Sequence, residues 1–101
     1  MDNSFSISVI IPTFNRLNYL ERAIKSVLNQ TISVDEIIVV DDGSNDGTSE
    51  FIRSKYPNLK YIFQLNRGVS AARNVGIAAA KSNWIAFLDS DDEWINNKIK
   101  E

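Results

Sequence analysis

ISVIIPTFN, residues 7–15, is the stretch that decides the fold class of this chain. Its run from Ile7 to Ile11 is largely β-branched and apolar on both faces of an extended chain, and Pro12 follows it. Strands of a parallel sheet are covered on both faces, so they show short apolar runs of this kind. We therefore predict a buried strand of a parallel sheet over Ile7–Ile11 that ends at Pro12.

Segments of helical and extended periodicity alternate along the rest of the chain. The predicted elements are a helix over 16–30, a strand over 37–40, a helix that starts near Asp46 and is broken by Pro57 and Asn58, a strand over 59–64, a helix over 71–80, a strand over 84–88 and the start of a helix over 93–101. Strands that alternate with helices through short loops are parallel and joined by right-handed crossovers. The order β-α-β-α-β-α-β therefore predicts an α/β fold, with three α/β/α layers around a mostly parallel sheet, in one domain over 1–101.

Composition narrows the chemistry that the chain can perform. With 101 residues, 44% of them hydrophobic and 24% charged, the chain is ordinary for one small globular domain. Its net charge of -2 and pI near 5.1 give no basic field, so we expect no nucleic-acid partner. The chain has no cysteine and no histidine, so any acid, base or metal role falls to carboxylates. Oxygen ligands favour hard cations, which leaves Mg²⁺ or Mn²⁺ as the expected metals.

The amino-terminal residues carry no signal for secretion, because they are acidic and their apolar stretch is short. No apolar run approaches the ~20 residues that span a bilayer. We expect a cytoplasmic protein, with membrane association possible only through sequence outside these residues.

Four loops leave the predicted strands at their carboxyl ends, and ligands of open parallel sheets bind at that edge. These loops comprise residues 12–15, 41–44, 66–68 and 89–92. Carboxylates gather in two of them, and a bound cation would relieve their mutual repulsion. The unit Asp89-Ser90-Asp91 places two carboxylates where one metal and a diphosphate could meet. The alternative is that Asp91 or Asp92 caps the helix predicted from Glu93.

The other loops also allow two interpretations. Residues 41–44, Asp-Asp-Gly-Ser, suit a simple turn, Phe14 suits a core, and Pro12-Thr13 suits the end of a strand. In the functional alternative, Phe14 offers an aromatic face to a nucleobase while a carboxylate accepts a hydrogen bond from a base N–H.

Four segments together resemble the successive motifs of the family-two, inverting glycosyltransferases of the GT-A type, whose sheet is Rossmann-like. They are SVIIPTFNR at 8–16, IVVDDGS at 38–44, NRGVSAARN at 66–74 and LDSDD at 88–92. The resemblance covers nearly the whole chain, and its specificity lies in four motifs in the right order.

The resemblance implies a role for each loop. Pro12, Thr13, Phe14 and Asp42 would border the uracil or other base, and Asp42 would meet its ring N–H. Asp89 would lie by the ribose and the metal-bound diphosphate. The predicted metal ligands are Asp91 and Asp89, the metal is Mn²⁺ or Mg²⁺, and Asp41 is a further neighbour of the donor. Arg73 faces the diphosphate or forms an ion pair with the acidic loops.

The implied reaction is metal-dependent transfer of a sugar from a nucleoside-diphosphate sugar, UDP-linked by preference, to an acceptor hydroxyl with inversion. The acceptor would be a saccharide or a lipid-linked molecule, as in cell-wall or polysaccharide biosynthesis. The family's general base lies further along, so we expect it beyond Glu101, in an acceptor-binding half that this donor half lacks. We expect the 101-residue chain to bind nucleotide weakly and to transfer no sugar. The resemblance also implies truncation after the fourth strand, and self-association through its exposed edge.

Other nucleotide-binding classes fit less well. A dinucleotide-binding domain and a P-loop enzyme need a glycine-rich loop after the first strand, where this chain has residues 12–15, Pro-Thr-Phe-Asn. Two alternatives remain open: a sugar-1-phosphate nucleotidyltransferase, and a noncatalytic or structural α/β module.

Overall fold

The described residues fold around a four-stranded parallel sheet, as predicted. A computed structural model describes residues 6–30 and 34–90. The elements are β1 (Ile7–Thr13), α1 (Leu17–Leu28), β2 (Glu36–Asp41), α2 (Thr48–Lys55), β3 (Lys60–Phe63), α3 (Val69–Ala79) and β4 (Trp84–Phe87). The helix start predicted at 93–101 lies outside the described residues.

The strand order in the sheet is β3-β2-β1-β4, with every neighbouring pair parallel. The chain moves outward from β1 through β2 to β3, and then α3 carries it back to the far side of β1. The strand order therefore reverses between β1 and β4. In open α/β sheets a ligand cleft forms outside the carboxyl ends of the strands at such a reversal.

Helices cover both faces of the sheet and complete the three layers. One face carries Val9 and Val39, which pack with Leu20 and Ile24 of α1 and Ile52 of α2. The other face carries a smaller core cluster beneath α3, formed by Ile10, Ile38, Val40 and Ala72. Alternate residues of β1 and β2 thus serve opposite faces, as the pleat of a strand requires.

Small residues let α3 approach the sheet closely, as the sequence indicates. A Cβ atom built on Gly76 would lie only 2.5 Å from Cγ2 of Ile10. Ile10 is fully buried in the middle of the sheet, so it has little room to move. A glycine is therefore needed at this contact.

The predicted end of the first strand is wrong. β1 does not end at Pro12, because Pro12 pairs with Val40 and Thr13 pairs with Asp41. The carbonyls of Ser6 and Ile10 accept hydrogen bonds from the β4 side. Backbone groups of every second residue in a strand face the same neighbour, so the Pro12 nitrogen also faces that side. Pairing with β4 stops at Ile10, so proline is tolerated at position 12 without losing a bond of the ladder.

Leu28 differs in burial from the other aliphatic residues of α1. Leu28 is exposed at the last residue of the helix, while Leu20, Ala23, Ile24 and Val27 form the buried face. No helix among residues 6–30 and 34–90 is long and apolar enough to cross a membrane.

β4 is an edge strand of the described sheet. Its side chains Trp84, Ile85 and Phe87 are all exposed large hydrophobic groups. Self-association through this edge stays a prediction.

Candidate functional site

Two adjoining cavities open at the carboxyl edge of the sheet, where the strand order reverses. The larger cavity measures about 360 Å³ and lies between the end of β1, the start of α3 and residues 89–90. The smaller cavity measures about 230 Å³ and reaches Asp42 and Ala72. Pro12, Phe14 and Val69 line both cavities and so form the partition between them.

Phe14 is a wall of the site and not a core residue. Its side chain is 44% exposed, and it directly follows the last paired residue of β1. A half-exposed ring at the mouth of two cavities can offer a face to a planar ligand.

Thr13, next to Phe14 in the chain, is a buried residue with a polar side chain. Its side chain is only 4% exposed and borders the smaller cavity. Within the described residues, the Thr13 Oγ1 atom has no hydrogen-bond partner, and the same is true of the buried Gln64 Oε1. Thr13 pairs with Asp41 in the sheet, so its hydroxyl points to the face that α1 and α2 cover, and its expected contact with a ligand stays a prediction.

Asp42 lies at the smaller cavity and fastens the loop between β3 and α3. Its Oδ1 accepts hydrogen bonds from Gln64 Nε2 at 2.8 Å and from the Arg67 N–H at 2.7 Å, and its Oδ2 accepts one from the Gly68 N–H at 2.9 Å. The residue is 6% exposed. Burial raises the pKa of Asp42, but these three donors outweigh burial and hold the pKa below its ordinary value.

Asp42 is therefore a carboxylate whose hydrogen-bond acceptor positions are mostly occupied. An ionised carboxylate offers about four acceptor positions, and three are taken, so about one remains on Oδ2. The expected contact with a base N–H needs only one acceptor and stays a prediction.

Asp41 borders neither of the two cavities. It is 1% exposed; its Oδ1 accepts the Ser44 N–H at 2.9 Å and its Oδ2 accepts the Tyr61 hydroxyl at 2.5 Å. Burial and the neighbouring Asp41 carboxylate raise the pKa of Tyr61 well above its usual range, so Tyr61 remains a donor. Residues 41–44 thus form a turn that Asp41 holds. Asp41 was expected near the nucleotide-sugar donor, but it makes no contact with either cavity.

Arg73 and Asp89 form an ion pair in the lining of the larger cavity. The Arg73 Nη2 atom lies 3.0 Å from Asp89 Oδ1, and the Arg73 Cζ atom lies 6.0 Å from the centroid of the Phe87 ring. Of the two roles expected for Arg73, the ion pair with an acidic loop is present. Both side chains are partly exposed, so the pair holds little free energy and can open to a ligand.

The metal site can be tested only in part, because Asp91 lies outside the described residues. Among residues 6–30 and 34–90, no group of three or more acidic, histidine or cysteine side chains could hold a metal ion. Asp89 supplies one accessible carboxylate at the larger cavity, and this donor type suits Mn²⁺ or Mg²⁺.

The two cavities include four residues that were not predicted as site residues, namely Arg16, Val69, Ala72 and Ser90. Val69 was missed because the third helix was expected to start at Ala71, and it starts two residues earlier. The position of Arg16, next to the loop that supplies Phe14, is the signal that could have identified it.

Comparisons with known proteins agree with this geometry. The family model described as glycosyl transferase family 2 matches residues 8–101. An uncharacterized glycosyltransferase of Rickettsia conorii is 50% identical over 100 residues, which cover 97% of the chain and 17% of that relative. The chain therefore spans under a fifth of this relative.

Solved structures point to the same fold. The crystal structure of S. aureus TarS 1-349 matches with a TM-score of 0.85 and 33% identity, over 95% of this chain and 30% of that one. Another structure of TarS 1-349 is a complex with UDP. The mannosyltransferase PcManGT from Pyrobaculum calidifontis, in complex with GDP-Man and Mn²⁺, matches with a TM-score of 0.78 and 26% identity, over 97% of this chain and 32% of that one.

Proposed function

Because the chain belongs to glycosyl transferase family 2, we propose that residues 1–101 form the donor-binding half of a glycosyltransferase. The whole protein would transfer a sugar from a nucleoside-diphosphate sugar, UDP-linked by preference, to an acceptor hydroxyl with inversion at the anomeric carbon. The observation that carries this proposal is the pair of joined cavities at the strand reversal, one with an aromatic wall and one with an ion pair.

The smaller cavity suits the nucleobase. Phe14 offers a half-exposed ring on which a base can stack, and stacking on an aromatic side chain tolerates any base. Thr13 and Asp42 border the same space, and the free acceptor position of Asp42 can meet a polar group on the base edge. The base is therefore proposed to lie against Phe14, Thr13 and Asp42.

The larger cavity suits the diphosphate. A guanidinium binds phosphate oxygens through charge-assisted hydrogen bonds, so Arg73 can exchange its bond to Asp89 for bonds to the diphosphate. This exchange frees the Asp89 carboxylate. Mn²⁺ or Mg²⁺ held by Asp89 and Asp91 would supply positive charge that stabilises the leaving diphosphate.

The general base is proposed to come from an acceptor-binding half. Of the described residues, the carboxylates that line the two cavities are Asp42 and Asp89; three donors engage Asp42, and Asp89, once Arg73 releases it, is proposed to hold the metal. Neither is free to take the proton of an acceptor hydroxyl. The 101-residue chain is therefore proposed to bind nucleotide without transferring sugar. A saccharide or lipid-linked acceptor, a role in cell-wall or polysaccharide biosynthesis and a cytoplasmic location remain predictions.

Calorimetric titration of UDP, with GDP and dTDP for comparison and with and without Mn²⁺, tests the proposal. We expect UDP to bind, more tightly with Mn²⁺, and Phe14→Ala to weaken binding by about tenfold or more because a stacking contact is lost. Tyr19→Ala is the matched control, since Tyr19 is equally exposed on α1 but borders neither cavity.

A second pair of variants tests the diphosphate side. Arg73→Ala should weaken UDP binding by about tenfold. Arg53→Ala is the control, because it removes the same charge from an exposed position on α2 and should leave UDP binding unchanged. If the folded chain binds none of the three nucleotides, a noncatalytic α/β module becomes the better interpretation. Preference for a nucleoside triphosphate would favour the nucleotidyltransferase alternative.

A further inference from the structure

Three hydrogen bonds join the β1–α1 loop to the β2–α2 loop, and we name this set the loop clasp. The Asn15 N–H donates to Ser44 Oγ at 2.8 Å, and the Asn45 N–H donates back to Asn15 Oδ1 at 2.9 Å. The Leu17 N–H, at the start of α1, donates to Asp46 Oδ2 at 3.1 Å. The two loops thus hold each other through side chains on both.

The loop clasp is anchored in the core through Asp41. The Ser44 N–H donates to one oxygen of this buried carboxylate, and the Tyr61 hydroxyl on β3 donates to the other. A continuous series of hydrogen bonds therefore runs from β3 through Asp41 and Ser44 to Asn15. Each member fixes the orientation of the next.

Asn15 carries the chain through a conformation that needs such support. Its φ is +51°, in the left-handed region that most side chains avoid and that asparagine tolerates better than other non-glycine residues. Asn15 also lies directly after Phe14, and so its conformation sets the direction of the backbone next to that ring.

Phe14 depends on its neighbours because its own packing is weak. The ring is half-exposed, so the core does not fix it. On one side Thr13 is fixed in the sheet, where its carbonyl accepts the Asp42 N–H at 2.8 Å. On the other side the loop clasp fixes Asn15. The aromatic wall of the two cavities is therefore held at both ends of its backbone.

We propose that Ser44 and Asn15 are positioning residues that hold Phe14 in place to stack with the base of a nucleoside diphosphate. The proposal rests on the proposed function. Ser44 borders neither cavity, so it acts through Asn15 and not by touching the ligand. A preorganised wall binds more tightly because less freedom is lost when the ligand arrives.

Calorimetric titration of UDP into Ser44→Ala measures this effect. We expect affinity to fall about three- to tenfold, since one hydrogen bond that orders the loop is removed. Ser44→Thr keeps the acceptor oxygen and should restore affinity to within about twofold of wild type. Ser54→Ala, the same change on exposed α2, should leave affinity unchanged.

A double-mutant cycle with Phe14→Ala separates positioning from general damage. If Ser44 acts through Phe14, adding Ser44→Ala to Phe14→Ala should cause no further loss of affinity. Additive losses, or a Ser44→Ala protein that binds UDP as tightly as wild type, would overturn the positioning role. Failure of the wild-type chain to bind UDP would instead overturn the proposed function, and the positioning role with it.

A second position keeps the test decisive if Ser44→Ala does not fold. Asn15→Gly keeps the left-handed backbone but loses the acceptor for the Asn45 N–H, whereas Asn15→Asp keeps an acceptor there. We expect weaker UDP binding for Asn15→Gly and near wild-type binding for Asn15→Asp. Equal binding by both variants would contradict the proposal.

Discussion

Replacing Asp42 by asparagine should destabilise the fold and loosen the loop that leads into α3. The change keeps the size of the side chain but removes its charge and one of its acceptor oxygens. Two donors, Gln64 Nε2 and the Arg67 N–H, can still reach the remaining oxygen. The Gly68 N–H would face the new amide NH₂ group, which cannot accept its hydrogen bond.

The expected loss is about 2 kcal/mol of unfolding free energy. A hydrogen bond to a charged acceptor contributes about 1.5–3 kcal/mol to stability. Gly68 is exposed, so its N–H can bond to water in the variant, and the loss should fall within the lower part of this range. The two surviving bonds also lose charge assistance, which adds to the cost. For a domain of this size, 2 kcal/mol lowers the melting temperature by roughly 10 °C.

The pH dependence gives the same prediction a second readout. Because the pKa of Asp42 is lowered in the folded state, the unfolded chain takes up the proton first as the solution is acidified. The contribution of Asp42 to stability is therefore complete above its unfolded pKa of about 4 and is lost as pH falls through the folded pKa. The stability gap between wild type and Asp42→Asn should narrow in acid.

Urea unfolding at pH 7, 5 and 3 measures both effects. Glu50→Gln is the control, because it removes one negative charge from an exposed position on α2 and should change stability by no more than about 0.5 kcal/mol. Asp42→Asn with wild-type stability at pH 7, or a gap that stays constant down to pH 3, would refute the view that this carboxylate fastens the loop.

Three further predictions concern the rest of the sheet. Gly76→Ala should lower the unfolding free energy measured in urea by about 1–3 kcal/mol, because the new Cβ would overlap Ile10, although alanine has the better helix propensity. A variant as stable as wild type would contradict the close packing of α3. Ile85→Lys, on the exposed edge of β4, should reduce any concentration-dependent increase in mass seen by light scattering, and a wild-type chain that is monomeric at all concentrations would contradict self-association. Glu36→Gln weakens the bond that Glu36 accepts from the Ser8 hydroxyl at 2.6 Å, at the amino edge, so we expect a loss of about 1 kcal/mol with unchanged UDP affinity.

The order and type of the elements could be predicted because they depend on local patterns. Apolar runs such as Ile37–Val40 and the helical spacing of Leu20, Ile24 and Val27 mark strands and helices without any long-range information. The error at Pro12 has a non-local cause. Proline is excluded from a strand only where its nitrogen faces a neighbour, and whether β4 reaches that far depends on the register of two distant segments.

The loops that meet at the site could be predicted from the sequence, while the roles of single residues in them stay predictions. Pro12, Phe14, Arg73 and Asp89 do meet at one edge, because parallel strands bring their carboxyl ends together. The adjacent carboxylates at 41 and 42 could not be told apart in the same way. Successive side chains of a strand point to opposite faces, and which face holds the cavities depends on where α3 crosses the sheet.

That division of the two carboxylates explains how a single strand end can organise the whole site. Asp41 points to the α1 and α2 face, where Tyr61 lies, and fixes the turn that supports Asn15 and therefore Phe14. Asp42 points the other way and fixes the loop from which α3 begins, so it governs the wall that carries Val69 and Arg73. The two walls of the cavities are thus fastened independently to the end of β2. A change at one carboxylate should disturb one wall and leave the other in place.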